Sequence, residues 1–274
     1  MTFELTRWAG ELERAVSVSP EPRVIGRVVV LAQTGSTQDA ARSVSANSPG
    51  LLLTCGVQTG GRGRLGRSWH DAPGKSLALS LTLDPAQFDP ALLSLACGVA
   101  VERACARACD VERLGLRWPN DVVDPATGRK LAGVLIERSG ELLIAGVGVN
   151  VTHRDNDWPA ALRDTGVSLA QLGSSWSRLE VALALVGELE SALSASQEAV
   201  CERWGACDVL VGTERTFVSG GERVSGLVRS IDPMSRIVIE SASGARRTLD
   251  ALTTSLVHAD GCELAPDPTE EPGE

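Results

Sequence analysis

The 274-residue chain contains no tyrosine, only three phenylalanines and only three histidines. So few aromatic faces leave little on which successive bases of a single-stranded nucleic acid can stack. The histidines, at 70, 153 and 258, are dispersed and give no Ser/His/Asp or Cys/His arrangement. No paired carboxylates stand out, so hydrolysis by two acids has no support. The seven cysteines, at 55, 97, 105, 109, 201, 207 and 262, are odd in number and follow no CxxC or Cys/His metal spacing. Reduced thiols are the plain reading. Long hydrophobic runs are missing too: no stretch of about 18 uncharged apolar residues occurs. The opening MTFELTRWAGELERAV carries acids where a signal peptide has its apolar centre. These absences lead us to expect a soluble cytoplasmic protein with no membrane partner.

Positive charge is also scarce. With 26 basic against 35 acidic residues the net charge is −9, which disfavours binding DNA or an anionic membrane through the overall field. Only Lys75 and Lys130 are lysines, the other basic residues being arginine, so a surviving lysine invites a specific explanation. Yet GGRGRLGR, residues 60–67, gathers Arg62, Arg64 and Arg67 among Gly60, Gly61, Gly63 and Gly66. Glycine permits positive φ and close backbone approach. Guanidinium groups beside exposed N–H groups suit phosphate or carboxylate. The stretch reads either as a loop that wraps an anion or as a flexible solvated turn. It matches neither GxxxxGK[ST] nor GxGxxG. The GKS at 74–76 is no P-loop either, because Trp69 stands five positions before Gly74.

The length and 43 % hydrophobic content suffice for one large domain or a main domain with a small satellite. RVVVLAQTGST (27–37) predicts a buried strand and a polar turn, and STQDAARSVSA a capped helix. LLLTCGVQ (51–58) and SLALSLTL (76–83) predict strands on either side of the arginine stretch. Apolar spacing and Pro90 predict a buried helix over 89–109. GLRWPNDVV predicts a short strand broken at Pro-Asn, and KLAGVLIE with ELLIAGVGVNV a hairpin turning at Arg138–Gly140. One amphipathic helix is expected over 178–203. Beyond Trp204 short strands alternate with turn signals, predicting a small β-barrel. The expected division is 1–204, 205–262 and a disordered acidic tail, 263–274.

Several residues stand out within this outline. Lys130 opens an apolar strand and reads either as an anion clamp or as an ordinary snorkelling lysine. Gly133 on the same strand leaves space for a ligand or a crossing backbone. Asp121 in RWPND either orients a cation, a metal or a ribose hydroxyl, or sits in an Asx turn. Ser36, Thr37 and Gln38 either bond a small polar ligand or cap a helix.

Taken in order, GRGRLGRSW, RWPNDVV, GRKLAGVLIE and GVGVNV resemble the biotin protein ligases, over roughly residues 27–260. The resemblance implies an α+β fold with a mixed sheet and helices on one face, similar to class II aminoacyl-tRNA synthetases, followed by an SH3-like barrel. It implies that biotin and ATP give biotinoyl-5′-AMP and diphosphate, with Mg²⁺, and that a lysine of a biotin carboxyl carrier domain then takes the biotinoyl group. Position by position, Ser36, Thr37, Gln38, Gln58, Arg62, Gly63, Arg64, Lys130 and Gly133 fall on the biotin site. Arg62, Arg64, Arg67, Trp69, Asn120, Lys130 and Asn150 fall on the adenylate site, and Lys130, Arg64 and Asp121 take the catalytic roles. No metal ligands are assigned. Two positions depart from the family: Gln38 stands for its usual Asn, and Arg117 for its usual Lys. The resemblance also leads us to expect no specific DNA contact, since about 25 residues before the first core strand are too few for a helix-turn-helix domain, and a monomer or weak homodimer. A lipoate–protein ligase shares the implied fold and chemistry and is the neighbouring alternative. A nucleic-acid-binding module using the arginine stretch and the barrel is the alternative of another class.

Overall fold

The computed structural model describes residues 2–20 and 22–257; the expected tail at 263–274, with His258 and Cys262, lies outside them. The N-terminal stretch, which composition marks only as unlike a signal peptide, forms helix α1 (Thr2–Ser17). Its Trp8, Leu12 and Val16, spaced by four, are buried together. Strand β1 (Arg27–Thr34) follows, then α2 (Thr37–Ser45) and β2 (Leu51–Gln58). The arginine stretch carries a two-residue ribbon, β3 (Gly61–Arg62) with β4 (Ser68–Trp69), closed by a single 3-10 turn. Next come β5 (Ser76–Leu83) and α3 (Pro90–Cys109), where Asp89 accepts from the Ala91 and Leu92 N–H groups. Strands β6 (Gly115–Arg117) and β7 (Asp121–Val123) are the two sides of the Pro-Asn break, and β8 (Lys130–Ser139) and β9 (Leu142–Asn150) form the expected hairpin.

These strands make one mixed sheet in the order β1-β2-β5-β9-β8-β7-β6, parallel only between β1 and β2. The single helix expected over 178–203 is two: α4 (Arg178–Leu193) and α5 (Gln197–Cys207). The chain breaks at Ser194–Ser196 because Ser196 accepts from the Ala199 N–H and starts a new helix.

Helices lie on both faces rather than one. Helices α1, α3 and α4 cover the face that carries Leu52, Leu77, Leu79, Leu143, Ala145 and Val147. The short α2 lies on the opposite face, where Ala41 meets Leu51, Leu53 and Ile144. A nine-residue helix cannot cover a seven-stranded sheet, so the α2 face stays open toward β8 and β9.

Five further strands, β10 (Glu214–Ser219), β11 (Glu222–Asp232), β12 (Arg236–Glu240), β13 (Arg246–Asp250) and β14 (Thr254–Leu256), form an antiparallel sheet in the order β13-β12-β11-β10-β14. Phe217, Val224, Val228, Ile237, Ile239 and Leu249 are its buried hydrophobic residues. Among the described residues no helix is long and apolar enough to cross a membrane, and the six cysteines are unpaired thiols.

Candidate active site

Side-chain alternation on β9 decides what lies on the open face. Leu143, Ala145, Val147 and Val149 point to the large helices, which leaves Ile144, Gly146, Gly148 and Asn150 on the α2 side. On β8, Gly133 pairs with Gly148 and Leu135 with Gly146. The register between β7 and β8 shifts at Val122/Val123, so that Val123 faces Lys130 while Val122 faces Ala132. This irregularity turns Lys130 onto the same side as Gly133, three residues on, where strict alternation would oppose them.

A cavity of about 190 Å³ opens over this glycine floor. Its lining includes every residue that the sequence singles out for a role: Ser36, Thr37, Gln38, Gln58, Arg62, Gly63, Arg64, Arg67, Trp69, Asn120, Asp121, Lys130, Gly133 and Asn150. The glycines make room for particular neighbours. A Cβ at Gly148 would lie 2.6 Å from the Trp69 ring, one at Gly146 2.8 Å from Cδ of Gln38, and one at Gly133 2.9 Å from Nζ of Lys130.

One end of the cavity is uncharged and polar. The Thr37 N–H donates to Oε1 of Gln58 at 2.8 Å, and Ser80 Oγ donates to Thr37 Oγ1 at 2.9 Å. Gln38 donates through Nε2 to the Leu135 carbonyl at 3.3 Å, the extra methylene over asparagine resting on Gly146. Ser36 is the N-cap residue of α2 by position, but its hydroxyl makes no cap bond.

The other end is a charge cluster. Lys130 Nζ lies 2.6 Å from Asp121 Oδ1, and Arg117 Nη2 lies 2.9 Å from Oδ2. Burial pushes the Asp121 carboxyl up, but Lys130 and Arg117 outweigh it and hold the group well below the usual carboxylate range. Lys130 also lies 5.7 Å from the Trp69 ring centroid. Asn120 and Asn150 bond backbone: Nδ2 of Asn120 donates to the Val134 carbonyl at 2.6 Å, and Nδ2 of Asn150 to the carbonyls of Lys130 and Val167.

The arginine loop crosses the top, and two of its cations already have partners, Arg64 reaching Oδ1 of Asn120 at 3.5 Å through one arm. Arg62 bonds Asp39 at 2.6 Å and Glu137 at 3.1 Å. Arg64 donates to the Ala251 carbonyl, on the segment between β13 and β14, and burial lowers its pKa. Leu65 at the tip is 55 % exposed and takes a left-handed φ of 57°, an unfavourable conformation for a branched side chain. The Arg67 side chain has no ion-pair partner among the described residues. Two indole and imidazole nitrogens at the loop's foot, Trp69 Nε1 and His70 Nε2, are buried without hydrogen-bond partners. Behind them His153 stacks on Trp158, its ring centroid 4.4 Å away, and burial together with His70 lowers its pKa to about 4.

Sequence reasoning missed four contributions. Asp39 and Glu137, the partners of Arg62, are ordinary surface acids to the eye. Trp158, Leu162, Thr165 and Gly166 form a wall, and Ser255 and Leu256 of β14 form part of another. Only the GxGxN spacing of Gly146 and Gly148 carried a usable signal, since glycine in an apolar strand marks close approach.

The biotin/lipoate A/B protein ligase family matches residues 29–152. The chain is 34 % identical to the biotin–[acetyl-CoA-carboxylase] ligase of Mycobacterium tuberculosis over 242 residues, 84 % of this chain and 88 % of that protein. It is 33 % identical over 181 residues to the bifunctional ligase/repressor BirA of Bacillus subtilis, covering 62 % of this chain and 54 % of that one. A solved biotin protein ligase from Aquifex aeolicus, in complex with biotin and ATP, superimposes with a TM-score of 0.74 at 28 % identity, over 84 % of this chain and 97 % of that one.

Proposed function

This chain belongs to the biotin/lipoate A/B protein ligase family, and we propose that it activates biotin with ATP and transfers it to a lysine of a biotin carboxyl carrier domain. In the first step a biotin carboxylate oxygen attacks the α-phosphorus of ATP and diphosphate leaves. In the second the acceptor amine attacks the carbonyl of biotinoyl-5′-AMP, AMP leaves, and an amide remains. The observation that carries this reading is the two-ended cavity, with uncharged amides and hydroxyls over a glycine floor at one end and Lys130, Arg117 and Asp121 at the other.

The chemistry needs that division. Adenylation brings a carboxylate against a polyanion, and fixed cations lower the barrier by screening both and stabilising the charge that develops. Lys130 stands at the charged end and is assigned to the carboxylate and the α-phosphate. Arg62, Arg64 and Arg67 are assigned to closing over the adenylate, which water destroys if exposed. Ser36, Thr37, Gln38 and Gln58 are assigned to biotin's ring, and Trp69, Asn120 and Asn150 to the nucleotide. Among the described residues no three His, Cys, Asp or Glu side chains converge as a metal site. Mg²⁺ bound with ATP would neutralise part of the triphosphate charge there.

The finer architecture follows the same reading. The main sheet with its helices is the catalytic domain, of the class II aminoacyl-tRNA synthetase kind, and the five strands from Glu214 are an SH3-like domain beyond a boundary near 205. The test is labelling of an acceptor-domain lysine dependent on both ATP and biotin, run beside lipoate. With ATP present, biotinoyl-AMP and labelled acceptor are expected from biotin and no product from lipoate. Labelling with lipoate would make the chain a lipoate ligase, and neither intermediate nor product with either acid would overturn the proposal.

A further inference from the structure

Asp121 is held from two sides by cations of unequal freedom. Arg117 stands opposite it across the β6–β7 hairpin with its side chain 7 % exposed. One arm of the guanidinium donates to Asp121 Oδ2 at 2.9 Å and the other to the Gly128 carbonyl at 2.8 Å. Lys130 takes Oδ1 at 2.6 Å with a side chain 33 % exposed, and among the described residues its ammonium makes no second hydrogen bond. Arg64 is the remaining charge that faces the carboxylate, from the loop above. A planar fork can serve a carboxylate and a carbonyl together; a lysine ammonium at the same place lacks that geometry.

We propose that Arg117 is a positioning residue: by tying Asp121 Oδ2 to the Gly128 carbonyl it keeps the carboxylate charged and aimed into the cavity when Lys130 leaves Oδ1 for the substrate. Oδ1 is then open to receive the ammonium of the incoming acceptor lysine. Asp121 attracts and orients that group and takes no proton from it. The amine reaches the carbonyl after losing its proton to solvent. This assignment rests on the ligase reading, since it needs an anion to draw Lys130 away.

The test separates the two. The carboxyl carbon of Asp121, labelled with ¹³C, is titrated by NMR in the substrate-free protein, with K130M standing for the departure of Lys130. Asp121 should stay ionised to about pH 4 or below in K130M and in K130M/R117K, and should titrate above about pH 6 in K130M/R117M. In single-turnover transfer from preformed biotinoyl-AMP, every variant should slow with acid as the acceptor amine is protonated, and R117M should add a second, steeper fall below about pH 6 that wild type and R117K lack. R117K should lose about tenfold in rate at every pH, because the charge remains but the tie to Gly128 does not. If R117M does not fold, R117Q, uncharged but polar, takes its place. An Asp121 that stays ionised in the double variant, or R117K and R117M falling alike with no change of pH profile, would overturn the inference. Absence of biotinoyl-AMP in wild type overturns the ligase reading instead, and leaves the titration to judge Arg117 alone.

Discussion

The site has two sets of cations, and they are mounted differently. Arg62, Arg64 and Arg67 ride on a loop whose own hydrogen bonds are a two-residue ribbon and a single turn. Lys130 and Arg117 stand on strands whose neighbours are hydrogen-bonded along their length. Arg62 is paired with surface acids and Arg64 with a backbone carbonyl and, at 3.5 Å, with Oδ1 of Asn120, whereas the strand cations already grip a carboxylate inside the cavity. A rigid frame can hold charge in readiness for a transition state without further ordering. A loop must exchange existing partners, so its contribution appears only after ligand binds, as retention more than as chemistry.

That contrast is open to direct attack. The largest effect is expected at Lys130→Ala: adenylation should slow about 10²–10³-fold. Because Arg117 still pairs Asp121, stability should change by no more than about 1 kcal/mol. Diphosphate release and a thermal melt measure the two, and a normal rate would remove Lys130 from the chemistry. Next comes Gly148→Ala, where loop meets frame. The new methyl would collide with Trp69, and overpacking of about 1–3 kcal/mol should appear as 10- to 100-fold weaker biotin binding in calorimetry. The melting temperature should hardly move if the loop is the side that yields; a large drop would mean that the loop is as firmly fixed as the sheet. Arg64→Ala should release biotinoyl-AMP about tenfold faster, the worth of one charged hydrogen bond. Release kinetics unchanged from wild type would deny the loop its retaining role. Arg62→Ala should be the mildest, about twofold in any constant, since its partners Asp39 and Glu137 are partly exposed and such pairs contribute little. A tenfold loss there would show that the Arg62 pairing, not the frame, sets the geometry.

The same contrast explains what could be read without coordinates. The frame was legible: β8, β9 and the glycines within them follow from apolar alternation, and Lys130 from its rarity. The loop was legible as charge but not as structure. Nothing in GGRGRLGR says that Arg62 meets Glu137, 75 residues away, because a surface ion pair leaves no pattern in composition. The bulge that brings Lys130 beside Gly133 was equally silent, since a one-residue register shift depends on the partner strand. Helix α1 announces itself only through the spacing of Trp8, Leu12 and Val16, a signal of three residues among many polar ones. The break at Ser194–Ser196 is hidden in the sequence because amphipathic periodicity runs through a serine cap without losing phase. The placement of α2 on the face opposite the long helices depends on which side of a strand each loop leaves, a choice made by tertiary packing.

The glycine floor has a consequence for anyone wishing to change what the cavity accepts. Engineering a binding site for a bulkier analogue usually begins by trimming a side chain beneath it to leave a hole. Here positions 133, 146 and 148 already have no side chain to trim. Over this floor extra room comes from what leans on it, the indole of Trp69, the amide arm of Gln38 or the Lys130 ammonium, and shortening any of them also removes a wall, a hydrogen bond or an ion pair. The site can be narrowed by a single methyl group but widened only by dismantling its sides, which makes it far easier to redesign for smaller guests than for larger ones.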